Sequence, residues 1–137
     1  DRLHQKAGAG KIAELHGSLE PVRCHSCGKI WDKEHFLNGE KCDCGGVLRP
    51  GVVLFGEMLP DEPLRLADEW SSECDTFVVL GSSLVVSPAN YFPRQAKNSG
   101  AKLIIINREE TPLDKIADLA VHEGIGDYLE KVAGYMK

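Results

Sequence analysis

The chain is poor in aromatics (7% of 137 residues), has no excess of positive charge and holds no long apolar run. Each shortage excludes something. Lys and Arg number 16 against 21 Asp and Glu, a formal net charge of -5, which argues against a nucleic-acid binder that relies on bulk positive charge. No apolar stretch approaches the roughly 20 residues that span a bilayer, so no membrane partner is expected. The opening residues, DRLHQKAGAGK, lack the apolar core of a signal peptide. Five cysteines, an odd number, do not suit a purely disulfide-stapled fold. The expectation is a soluble, cytoplasmic chain of one domain's length, with enough apolar residues for a core.

What is present is more specific. Cys24, Cys27, Cys42 and Cys44 read Cys-x2-Cys, fourteen residues, then Cys-x-Cys. Two short turns presenting two sulfurs each make a tetrahedral zinc site, and four thiolates leave no open position for water, so the metal is expected to be structural. A Cys-x-Cys pair puts both side chains on one face of an extended stretch. His25 and His35 are read as solvated loop residues, the alternative being that one replaces a cysteine ligand. Cys74 stands alone before a strand-like run and is read as a small buried residue. Residues 20–50 hold five Lys/Arg and five Asp/Glu, so this module is neutral and no direct nucleic-acid partner is expected.

The composition of residues 19–50, rich in Gly, Cys and charge, is that of a module held by a metal. Short strands are expected at Leu19–Arg23 and Val47–Arg49. After the apolar run 52–55, Asp61 as N-cap and Pro63 open a helix to about Ser72. A strand–helix alternation follows: Phe77–Leu80, a helix from Ser87–Pro88 to Asn98, Leu103–Ile106, a short helix from Thr111–Pro112, Leu119–Val121, and a helical stripe from Ile125 to Met136. Uniformly apolar strands alternating with helices predict an α/β fold with a parallel sheet covered on both faces. Ligands of such sheets bind beyond the carboxyl ends of the strands. Gly81-Ser82-Ser83, Asn107 and Gly124-Ile125-Gly126 fall there. The first is either a ligand-binding turn or an ordinary strand-to-helix turn. Asn107 either holds a ribose or caps a turn. Gly124 to Gly126 lacks the third glycine of the dinucleotide fingerprint, and Gly8 to Lys11 is not a P-loop. His16, before Gly17, says little alone and gains meaning from its place just before the cysteine module.

In order, the chain carries Leu3-His4-Gln5-Lys6-Ala7-Gly8, Glu14-Leu15-His16-Gly17-Ser18, the four cysteines, Leu48-Arg49-Pro50, Val53-Leu54-Phe55-Gly56-Glu57, Gly81-Ser82-Ser83-Leu84-Val85-Val86 with Pro88-Ala89, and Ile105-Ile106-Asn107. This series resembles the sirtuins, NAD-dependent protein lysine deacylases, over nearly the whole chain. The resemblance implies a Rossmann-like dinucleotide-binding domain with an inserted four-cysteine zinc module. It divides the chain into residues 1–18 (catalytic-loop segment), 19–51 (zinc module) and 52–137 (carboxyl-terminal part of the Rossmann-like domain). It implies NAD and structural zinc as cofactors, and an acyl-lysine protein or peptide as substrate.

In that family the acyl-lysine carbonyl oxygen attacks the nicotinamide-bearing ribose carbon and nicotinamide leaves. The acyl group is transferred to ADP-ribose, which makes the enzyme a transferase. The resemblance makes His16 the general base on the ribose hydroxyls; an imidazole exchanges protons near neutral pH. It places Phe55, Gly56 and Glu57 beside the substrate peptide as an added strand, with Val86 flanking from the other side. Val53 and Phe55 line the acyl-lysine tunnel. Gly81, Ser82 and Ser83 meet the ribose and phosphates, Asn107 the adenine ribose, and Gly124, Ile125 and Gly126 the adenine. The second cysteine pair departs from the commoner Cys-x-x-Cys. The family's amino-terminal half, with its Gly-Ala-Gly loop, would precede Asp1. The chain is therefore expected to be a fragment whose sheet is covered by the missing half or another chain, and which is incomplete for catalysis alone. The alternatives are a non-catalytic zinc-stabilised peptide-binding module and mono-ADP-ribosyl transfer.

Overall fold

The computed structural model describes residues 2–135. The chain separates into two compact units, Asp1–Arg65 and Leu66–Lys137. The first contains helix α1 (Leu3–Lys6), strands β1 (Gly17–Cys24) and β2 (Ile30–Trp31), helix α2 (Lys33–Leu37) and strand β3 (Leu48–Val52). β1 is the centre of an antiparallel sheet of order β2-β1-β3. Both strands expected here exist: β1 extends beyond Leu19–Arg23 at both ends, while β3 starts one residue after Val47, which forms only an isolated bridge with Lys41, and runs on to Val52. The register pairs Gly17 with Val52 and Arg23 with Arg49, with an irregularity between Gly17 and Val22.

Two glycines set this sheet. A Cβ on Gly17, whose φ is +66°, would lie 2.0 Å from the Gly51 carbonyl oxygen, and one on Gly51 would lie 3.0 Å from the Pro21 oxygen. Gly17→Ala therefore combines a left-handed backbone with a backbone clash, and a loss of about 2 kcal/mol or more is expected. Urea unfolding of the variant checks it; an unchanged midpoint would contradict the close approach.

Helix α3 (Asp61–Glu73) contains the division between the units. The expected N-cap is off by one residue. Asp61 is already helical, and the Pro60 carbonyl accepts the Leu64 N–H at 3.1 Å. Asp61 and Glu62 instead place negative charge in the first turn, where the helix dipole favours it. Cys74 is half-buried rather than buried, and its thiol donates to the Ser71 carbonyl.

The second unit continues with β4 (Thr76–Leu80), α4 (Tyr91–Asn98), β5 (Lys102–Ile106), a single 3-10 turn (Asp114–Ile116), β6 (Leu119–Val121) and α5 (Ile125–Tyr135). The three strands form a parallel sheet in the order β4-β5-β6. Helix α4 packs on β4 and β5. It begins three residues after Pro88, later than the sequence suggested. A residue before proline is disfavoured in the α region, and residues 86–91 close two turns instead, Val86 to Asn90 and Pro88 to Tyr91. The helix expected from Thr111 shrinks to the 3-10 turn, where the Asp114 carboxylate accepts both the Thr111 N–H and hydroxyl. Met136 lies outside the described residues.

The core of this unit is Val79, Leu84, Leu103, Ile105 and Leu113, with Phe77, Ile116 and Ala117 against it. The strands are apolar on both faces, but burial is unequal. Leu103 and Ile105 are wholly buried, while Val78 and Leu80 are 47% and 42% exposed. The expectation of two covered faces therefore holds in part: on the second face Ile106, the register partner of Leu80, is 3% exposed, while Val78 and Leu80 themselves stay about half open. Among the described residues no helix is long and apolar enough to cross a membrane.

Candidate functional site

The cysteines converge. Their sulfurs all lie within 4.8 Å of one another, with Cys24–Cys44 and Cys27–Cys42 both at 3.6 Å. Sulfurs at the corners of a zinc tetrahedron lie about 3.8 Å apart, given a Zn–S bond near 2.3 Å, so the cluster fits that ion. Local sequence makes the two turns. Gly28 (φ +73°) closes the first, its N–H donating to the Cys24 carbonyl at 3.0 Å, and Gly45 (φ +81°) closes the second onto the Cys42 carbonyl at 2.7 Å. Gly46 leaves space for the sulfur, since a Cβ there would stand 2.7 Å from Cys24 Sγ.

Electrostatics points the same way. Backbone N–H groups of Cys27 and Ser26 draw the Cys24 thiol down to about 6. The Gly46 N–H pulls the Cys44 thiol down, but its hydrogen bonds with Cys27, Cys24 and Cys42 outweigh this and push it up to about 12. Four sulfurs this close cannot all carry charge without a cation among them. Neither spare histidine belongs to the cluster. His35 Nδ1 is 2.6 Å from Glu40 Oε2, and its ring meets Trp31 edge-on.

His16 sits in the turn that enters β1. Its carbonyl accepts the Val53 N–H at 2.9 Å, continuing the β1–β3 ladder beyond Gly17 and Val52. Glu14, two residues earlier, is held by the Gln5 side-chain amide at 2.9 Å. The structure thus brings His16 beside the segment Val53–Glu57. In that segment Phe55 is 96% exposed, and Gly56 (φ +88°) allows the Leu54–Glu57 turn.

Glu57 has a task that the sequence did not reveal. Its carboxylate takes both Arg49 guanidinium nitrogens, Nη2 at 2.9 Å, and the Leu54 N–H at 2.9 Å. Arg49 Nη2 also donates to the Val52 carbonyl at 2.9 Å. The carboxylate therefore braces the turn that displays Phe55 and Gly56. The Arg49 guanidinium and the Leu54 N–H draw Glu57 from 4.5 to about 2. A carboxylate depressed in the fold contributes stability that is complete above its unfolded value and is lost as pH falls through the folded one. Protection of the Leu54 amide is expected to decline between about pH 4.5 and 2, and to be low throughout in Glu57→Gln, by hydrogen exchange corrected for intrinsic rates. Protection that is flat across this window would contradict the brace.

In the second unit the expected cofactor residues share one edge of the parallel sheet. Gly81 follows β4 and donates to the Ile106 carbonyl at 2.9 Å; Asn107 follows β5 and donates to the Val121 carbonyl at 3.0 Å. Gly124 follows β6, and its carbonyl takes the Tyr128 N–H at 3.0 Å inside α5. A Cβ on Gly81 (φ +63°) would lie 2.7 Å from Ile125 Cδ1, so the first and third of these turns touch. Ser83 is exposed, as is Gly126, around which a Cβ would meet nothing within 4 Å. Ser82 Oγ accepts the Leu84 N–H at 3.3 Å. Asn107 Nδ2 donates to the Glu109 carbonyl at 2.8 Å, so its amide caps the turn. Val86 lies in the exposed stretch after Leu84.

Two features of this edge escaped the sequence reading. Leu84 is buried with a left-handed φ of 55°. Strained non-glycine backbone of this kind collects where a site over-determines the chain. Nothing about a leucine at this position signals it. Arg108 is the second: a Cβ on Gly124 would lie 3.6 Å from its Nη2 and 2.7 Å from Asp127 Oδ2, so a cation and an anion flank that turn. Its position directly after Asn107 was the available clue.

With this geometry in place, the comparisons are specific. The Sir2 family model matches residues 1–88. The NAD-dependent protein deacetylase of Halalkalibacterium halodurans is 51% identical over 133 residues, covering 96% of this chain and 56% of the relative. The NAD-dependent protein deacylase of Aquifex aeolicus is 46% identical over 143 residues, covering all of this chain and 59% of the relative. Among solved structures, Sir2Tm bound to a propionylated peptide superposes with a TM-score of 0.93 at 40% identity, over 98% of this chain and 60% of that one. The chain therefore spans little more than half the length of the relatives it matches. On a family match over most of its length and relatives near 50% identity, the chain belongs to the Sir2 family.

Proposed function

We propose that the protein removes acyl groups from lysine side chains of proteins, consuming NAD and releasing nicotinamide and O-acyl-ADP-ribose. The observation that carries this reading is the 2.9 Å bond between the His16 carbonyl and the Val53 N–H, which ties the backbone of His16 to the segment proposed to take the substrate. In this reading Phe55, Gly56 and Glu57 offer backbone to the peptide and Val86 flanks it. Backbone pairing gives affinity with little demand on sequence. Val53 and Phe55 receive the acyl-lysine stem. The Arg49–Glu57 brace holds that turn in place.

NAD supplies the electrophilic ribose carbon and the leaving nicotinamide. The chain's own contribution is orientation and proton transfer. Ser82, Ser83 and Asn107 offer hydroxyl and amide groups at the carboxyl edge of the parallel sheet, where such folds hold nucleotides, and Gly81 lets the backbone approach. The Gly124–Gly126 turn opens α5, whose first N–H groups point outward. His16 takes a proton from a ribose hydroxyl. The four-sulfur site would hold zinc as a structural ion. The four thiols are free of disulfides, which suits a reducing compartment, and the cytoplasm is the proposed location. The relatives include proteins named deacetylase and deacylase, so a panel of acyl chains belongs in the assay.

The test is nicotinamide release by the intact protein. Release is expected only when NAD and an acyl-lysine peptide are both present. With labelled NAD, the label should leave in a small acyl-ADP-ribose. Label retained on protein would replace this reading by ADP-ribosyl transfer, and peptide binding indifferent to NAD would replace it by a binding module.

A further inference from the structure

Beside the Val53–Glu57 segment, the first unit carries an open groove of about 630 Å3. Its walls are Arg23, His25, Arg49, Val53, Glu57 and Met58, among others. Arg23 and Arg49 are register partners on β1 and β3, so their side chains stand on the same face of the sheet. Their situations differ. Arg49 is spent on Glu57 and the Val52 carbonyl. Arg23 is exposed and has no ion pair among the described residues. Among the described residues, the only carboxylate lining the groove is the one already neutralised by Arg49. A surplus guanidinium is left, and His25 also lines the groove.

The sequence makes room for that guanidinium. A Cβ on Gly51 would lie 3.2 Å from Arg23 Nη2, so the glycine lets it lie over the β3 backbone. An unpaired planar fork of donors over a groove floor is a recognition element for a carboxylate. The groove is continuous with the turn that displays Phe55 and Gly56, since Val53, Glu57 and Met58 line it.

We propose that this groove is a second substrate subsite, which takes the carboxylate of an acidic residue flanking the acyl-lysine and selects peptides that carry one. The proposal rests on the deacylase reading above and adds a preference to it. Backbone pairing alone reads little sequence, so a side-chain subsite of this kind is where such an enzyme would discriminate. An exposed pair is worth only a modest factor and is screened by salt.

The experiment is a binding series on the intact, zinc-loaded protein. Fluorescent acyl-lysine peptides carry one Glu, walked through the flanking positions, and are compared with their Gln counterparts by anisotropy. At one position Glu is expected to bind about fivefold tighter at low salt, with the advantage shrinking at high salt. In Arg23→Gln, with zinc content checked as unchanged, the advantage should vanish. In Arg23→Glu, Lys at that position should be preferred instead. Equal affinity of Glu and Gln at every position, or a preference that survives Arg23→Gln, overturns the subsite. Nicotinamide release from the neutral peptide by the unsubstituted protein is read separately. Its absence overturns the deacylase reading, while the Glu–Gln comparison still decides the groove.

Discussion

Replacing His16 with Tyr is expected to lower kcat/KM for acyl-peptide turnover by about 10²–10⁴-fold, the range a positioned general base supplies. Tyr keeps an aromatic ring but does not accept a proton near neutral pH. The backbone role of position 16 is its carbonyl bond to the Val53 N–H, and any residue supplies that carbonyl. The neighbouring Gly17, which is intolerant, stays untouched. Zinc content, thermal unfolding and peptide affinity should therefore stay near those of the unsubstituted protein while chemistry is lost. Steady-state nicotinamide release with NAD and acyl-peptide is the measurement. Retention of even a third of the activity would remove His16 from the chemistry.

Metal removal is expected to have the larger structural effect. The core of the cysteine module is Val22, Cys24, Cys42 and Leu48, with Trp31 against them. Two of those four buried residues are themselves candidate ligands. Without a metal, two aliphatic side chains and one indole remain to hold three strands, far short of what a module this small needs. Zinc binding contributes roughly 10–16 kcal/mol to folding in comparable finger peptides. Chelation, or Cys42→Ser, should therefore unfold β1–β3 locally. Hydrogen exchange should show lost protection at the Cys24, His25 and Cys42 amides, which now donate to Lys29, Val47 and Gly46. The β4–β6 amides should stay protected, because Leu103 and Ile105 are buried without any metal. Module amides that remain protected after complete metal loss would contradict this account.

Much of the fold was legible because it follows from local pattern. Phe77–Leu80 and Leu103–Ile106 are uninterrupted apolar runs that end at Gly81 and Asn107, and both are strands to within one residue. Cysteine spacing showed the metal cluster because ligand chemistry demands short turns. The errors fell where a nearby proline or a few long-range contacts decide. The α4 start moved from Ser87 to Tyr91, and the Thr111 helix became one 3-10 turn capped by Asp114.

Glu57 shows the same limit within the site. Its neighbours Phe55 and Gly56 suggested a substrate contact, but eight residues back in sequence Arg49 takes its carboxylate. Arg23 and Arg49 look equivalent as letters, and only the pairing of β1 with β3, together with Glu57, leaves one guanidinium engaged and the other available.

The sequence alone determined the family, the strands of the parallel sheet and the clustering of the four cysteines, since periodicity, turn residues and thiol spacing act over a few neighbours. Tertiary structure decided which charges cancel, which face of the β4 strand stays open at Val78 and Leu80, and that buried Leu84 adopts a left-handed backbone. Those outcomes depend on groups brought together across the chain. Their energies come from distance and desolvation, which no linear spacing encodes.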